Sequence, residues 1–140
     1  MGKINWARVI LGGIVAGIII NVFETVLNGV ILSRDWQAAM TALGRTMAPS
    51  AIAVFVVWGF LAGIAAIWLY AAARPRFGAG AKTALLTGFA FWFVSYLLPN
   101  LGQWALHLFP HRLIAIGLVV GLVEVLIASV AGAALYKEQP

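Results

Sequence analysis

The sequence predicts an all-α integral membrane protein, a four-transmembrane-helix bundle with a short amphipathic interfacial helix between spans one and two. Three observations carry this. The 140 residues are 64% hydrophobic and include only nine Lys or Arg and four Asp or Glu, too few charges to give a soluble chain its polar surface. The apolar residues fall in runs of about twenty, the length a helix needs to cross a bilayer core. Those runs are unbroken and rich in Ala and Gly, without the period-two alternation of a barrel strand. A single membrane domain over residues 1–140 is expected at this length.

The breaks between runs place each element. Span one covers approximately residues 6–32. Its basic start, MGKINWAR, resembles a signal sequence, but the apolar run is too long for one and lacks an A-x-A site, so it is read as a retained helix. In the segment DWQAAMTALGRTM, Trp36, Met40, Leu43 and Met47 recur at spacings of 4, 3 and 4, one helical face. Asp35 is suited to cap its start and Pro49 follows its end. This predicts the interfacial helix at approximately 35–47; an extramembrane cap packed on the bundle would give the same pattern. Span two, approximately 50–73, stops at ARPRFGAGAK. Span three, approximately 81–106, is expected to kink at Pro99. Span four, approximately 110–136, opens on Pro110, a favourable first-turn residue.

Orientation follows from the basic residues. Lys3, Arg8, Arg74, Arg76, Lys82 and Lys137 fall on one side, and Arg34, Arg45 and Arg112 on the other. Six against three predicts a multi-pass protein of the inner (cytoplasmic) membrane with both termini cytoplasmic. The same distribution makes the pI near 10.3 a matter of topology, and no nucleic-acid partner is expected.

Three Gly-x-x-x-Gly pairs recur: Gly13 with Gly17, Gly59 with Gly63, and Gly117 with Gly121. Such spacing lets helix backbones approach closely, and all six glycines are expected at helix contacts. The aromatic run Phe89, Phe91, Trp92, Phe93 and Tyr96 covers more than one side of span three. It would suit packing against lipid, a neighbouring subunit or a hydrophobic ligand.

The polar residues inside spans are the functional clue. Glu24 and Glu124 lie within apolar runs, with no Lys or Arg at comparable depth. A mid-span acid costs roughly 2.5 to 3.5 kcal/mol on insertion scales, so each must face protein or water. Gly13, Gly17, Asn21, Glu24 and Asn28 share one helical stripe, and Gly117, Gly121, Glu124, Ala128 and Gly132 share another. Both glutamates therefore point towards other helices. If spans one and four are neighbours, Asn21, Glu24, Asn28 and Glu124 form one polar site. Without a buried cation the two carboxyls would keep at least one proton between them, because burial and mutual repulsion oppose a second charge.

Such a site has two readings, a proton or cation site and an uncharged hydrogen-bonded clasp between helices. His107 and His111 are the candidate metal ligands. They sit at the outer interface without a zinc-type spacing, so no metal is assigned. No cofactor is predicted, although a lipid or hydrophobic ligand would fit the aromatic faces.

A glutamate in span one after the Gly-rich stretch GGIVAGIIINVFE resembles the small multidrug-resistance exporters in architecture. The long outer segment from Ser33 to Pro49 and the second acid, Glu124, depart from that pattern, and no residue role is carried over. With no cysteine, no nucleophile–base pair and no phosphate loop, an enzyme is not expected. Two functions follow. The first is a structural or accessory subunit of a larger membrane complex. The alternative is a small homo-oligomeric proton- or cation-coupled transporter using Glu24 and Glu124. The expected partners are the bilayer and either other membrane subunits or a second copy.

Overall fold

In the computed structural model, which describes residues 2–139, six α-helices and two π-helical segments follow one another without a strand. They are α1 (Trp6–Glu24), continued by a π segment (Thr25–Ile31); α2 (Ser33–Ala42); α3 (Ala51–Phe77); α4 (Ala81–Trp92), continued by a second π segment (Phe93–Leu97) and α5 (Leu98–Ala105); and α6 (His111–Ala134). Four stretches are long and apolar enough to cross a membrane: Trp6–Ile31, Ala51–Phe77, Ala81–Ala105 and His111–Ala134. The protein is accordingly a multi-pass membrane protein by the length and hydropathy of its helices.

Helix α1 packs on α3 and α6, α4 packs on α6 and α3, and α3 also meets α6 across the middle. Missing side chains set the closest approaches. A Cβ on Gly63 would fall on the Gly13 carbonyl oxygen and the Gly17 nitrogen, and one on Gly13 would come within 2.5 Å of the Ile64 Cα. That is the α1–α3 crossing. At the α1–α6 crossing, Gly12 and Gly132 face each other, and a Cβ on either would lie 2.5 Å from the other's carbonyl oxygen. Gly121 makes room for the Tyr96 ring, which a Cβ would meet at 2.7 Å. Gly117 differs from the expectation: no atom lies within 4 Å of where its Cβ would stand, so it takes no part in close packing.

Both ends are tied. At the end that carries the termini, the Tyr70 and Tyr136 rings meet edge to face at 5.9 Å. Their hydroxyls accept from the Gly80 and Asn5 backbone nitrogens at 3.0 and 3.3 Å. At the far end, α2 folds back over the bundle. Ala39 is buried with Leu27, Leu32 and Leu113, and Trp36 and Phe109 pack against them.

Several boundaries differ from the sequence expectation. The second long helix runs through Pro75 to Phe77, because that proline falls in the last turn; Gly78, at φ 85, closes the helix with its nitrogen bonded to the Arg74 carbonyl. Helix α2 starts at Ser33 and ends at Ala42, short of residue 47. Gly44 at φ 66 lets the Gly44 and Arg45 nitrogens return to the Thr41 and Met40 carbonyls, a Schellman closure. Asp35 does not cap α2; its carboxylate lies 3.4 Å from Arg112. The irregularity attributed to Pro99 lies just before it. Proline lacks an N–H and crowds the carbonyl four residues back, and the chain widens over Phe93–Leu97, with the Leu98 nitrogen reaching the Phe93 carbonyl.

Candidate functional site

Glu124 stands near the middle of α6, on the stripe that carries Gly121 and Ala128, and its side chain is fully buried. One carboxyl oxygen, Oε1, accepts from the Tyr96 hydroxyl at 2.8 Å. The other, Oε2, meets no donor among the described residues. The Glu24 carboxyl is the charged group that neighbours Glu124.

Glu24, the last residue of α1, is half-buried. Its Oε2 accepts from the Asn28 Nδ2 at 2.6 Å, and the Asn28 Oδ1 accepts in turn from the Trp36 Nε1 at 2.8 Å. A continuous file therefore runs from the cap helix α2 to the bundle centre: Trp36, Asn28, Glu24, Glu124, Tyr96. Its members come from four separate stretches of chain.

The backbone around the file is unusual. Both π segments border it, one starting directly after Glu24 and the other containing Tyr96. Wide turns of this kind are rare and occur frequently at functional sites. The Tyr96 ring is held against Gly121, with the Trp58 ring edge-on at 5.5 Å.

Two neighbouring carboxyls that were both ionised would repel each other, the more strongly the less water lies between them. No Lys or Arg is paired with either acid among the described residues, where the sole ion pair joins Arg112 and Asp35. One proton placed between Glu24 and Glu124 removes the repulsion and gives Oε2 its missing partner. The arrangement is one in which two neighbouring carboxyls can share a proton. Asn28 and Trp36 hold one member and Tyr96 the other.

Of the four residues expected in one site, Glu24, Asn28 and Glu124 come together. Asn21 does not join them. It turns to α3, where its Nδ2 donates to the Gly17 and Val56 carbonyls at 3.0 and 3.2 Å, and it fills the space beside Gly59. Tyr96 and Trp36 are the members that sequence reasoning placed elsewhere, one in an aromatic lining and the other on an interfacial face. A signal for Tyr96 was present: among the five aromatics from Phe89 to Tyr96 it alone carries a hydroxyl, and a phenol inside a span requires a partner.

His107 and His111 lie at the far end, away from the carboxyl pair, with ring centroids 4.7 Å apart. No group of three His, Cys, Asp or Glu side chains arranged to hold a metal ion occurs among the described residues. Comparison with protein-family models, with curated proteins and with solved structures finds no match. The functional argument therefore rests on the chemistry of the site.

Proposed function

We propose that the protein is a small proton-coupled membrane carrier in which Glu24 and Glu124 bind the transported proton. The observation that carries this reading is the enclosed carboxyl pair. A clasp needs only neutral donors and acceptors, such as those Asn21 already supplies between α1 and α3. Two neighbouring acids without a cation hold a proton between them, and the half-buried Glu24 gives that proton a way out. Glu124 is the inner site, and Glu24, half-buried, is the route by which the proton arrives. Trp36 and Asn28 orient Glu24 and do not conduct, because an indole N–H can only donate. On the basic-residue count the termini are cytoplasmic and the membrane is the inner one, so Glu24 opens towards the outer side.

A second reading, an accessory subunit or homo-oligomer, is favoured by a separate observation. Residues 52–58 of α3 are all exposed, on every side of the helix, with Ile52 at 65% and Val54 at 64%. A transmembrane helix this exposed over two turns, with only the Val56 carbonyl and the Trp58 ring engaged inward, suits a neighbouring protein surface as well as lipid.

The test is proton movement into liposomes carrying the purified protein under an imposed pH gradient. Wild type should acidify the lumen well above empty vesicles, and Glu24→Gln and Glu124→Gln should each reduce the rate at least tenfold while remaining folded. Rates that both substitutions leave unchanged would remove the carrier reading. Stoichiometric co-purification of a larger partner from the native membrane would then favour the accessory one.

A further inference from the structure

We propose that the cleft between α2 and the α5–α6 connection binds the phosphate of an acidic phospholipid, whose acyl chain lies in the adjoining groove along α6. The cleft is an open depression of about 700 Å³ at the far end of the bundle, and its polar lining is Asp35, His107, His111 and Arg112. Arg112 is the anchor. Its side chain is 70% exposed, and its one acidic neighbour among the described residues, Asp35, is 3.4 Å away with a side chain 43% exposed. Such a pair is worth little and leaves most of the planar donor fork open to a phosphate, the geometry arginine matches best.

The wall beside it is rigid. The His111 ring stacks on Trp104 with centroids 3.9 Å apart and 12° between planes, and its Nε2 donates to the Trp104 carbonyl oxygen at 3.2 Å.

Trp104 also lines a second, wholly apolar groove of about 340 Å³, with Trp92, Leu118 and Leu122 among its walls. The polar cleft and the apolar groove share no lining residue but are neighbours through the stacked pair, His111 lining the cleft and Trp104 the groove. The groove runs from there along α6 towards the bundle middle. A polar head site beside an apolar groove on the outer surface of a transmembrane helix fits an amphiphile and offers a free anion nothing for the second part. At about 1.5 Å per residue the 24 residues of α6 span a bilayer core, which sets its first turn, and the cleft, at headgroup level. The basic balance of this end, with Arg34, Arg45 and Arg112 against Asp35 alone, matches an acidic head.

The experiment is native mass spectrometry of the detergent-solubilised full-length protein, titrated with short-chain phosphatidylglycerol, phosphatidylcholine or inorganic phosphate. Phosphatidylglycerol should be retained about tenfold more strongly than phosphatidylcholine, a difference of about 1.4 kcal/mol. Arg112→Gln should abolish that preference, and Trp104→Ala should weaken retention of both lipids. Inorganic phosphate should not displace phosphatidylglycerol. Equal retention of the two lipids, a preference that survives Arg112→Gln, or displacement by inorganic phosphate (a soluble-anion site) would each overturn the proposal. Arg112 is exposed, so its substitution leaves the fold intact, and an unchanged melting temperature checks this.

Discussion

Tyr96 shows how much a single hydroxyl decides here. It is the only hydrogen-bond donor to Glu124 among the described residues. Tyr96→Phe keeps the ring against Gly121 and Trp58 but strands Oε1 in a buried place, which costs about 1–3 kcal/mol. A fall in melting temperature, together with slowed proton movement in liposomes, is the expected result. Trp36→Phe makes the complementary case at the other end of the file. The edge-to-face contact with Phe109, at 5.4 Å, is retained and only the bond to Asn28 is lost. Stability should then drop by about 0.5–1.5 kcal/mol, measured as a shift in the denaturation midpoint, and Glu24 should become more accessible to water.

At the scale of elements, the glycines divide into those that set a crossing and those that do not. Gly63→Ala drives a methyl into the α1 backbone at Gly13 and Gly17. The helices must separate, with a loss comparable to an overpacked core, about 1–3 kcal/mol. Gly117→Ala meets nothing and should be neutral or slightly stabilising, since Ala is the better helix former. Thermal unfolding of the two variants in one detergent checks the contrast. The sequence made both glycines equivalent, because Gly-x-x-x-Gly records an opportunity for approach and not which neighbour takes it. It also missed Gly12, whose partner Gly132 lies on a distant helix.

The four spans themselves were legible, since length and hydropathy fix them locally. The stripes that turn Glu24 and Glu124 inward were legible for the same reason. The π segments were not, although Pro99 marked the region of one. Nor was the turning of Asn21 away from Glu24, which depends on the Val56 carbonyl thirty-five residues away.

For the whole molecule, the question is whether the enclosed pair works or merely holds. An apolar bundle that already has its glycine crossings and the Asn21 clasp has no structural need for two acids in contact. Their enclosure between two π segments is what a proton-binding centre requires: a dry pair that holds one charge, with one member able to reach water. The measurement that addresses this most directly is infrared difference spectroscopy of the membrane-reconstituted protein at neutral pH, following the protonated-carboxyl band on transfer to heavy water. One such band is expected in the wild type. It should be absent or displaced in both Glu24→Gln and Glu124→Gln, and it should shift within seconds as the shared proton exchanges through Glu24. A wild-type spectrum without a protonated carboxyl, or a band that exchanges only when the protein unfolds, would contradict a working proton site.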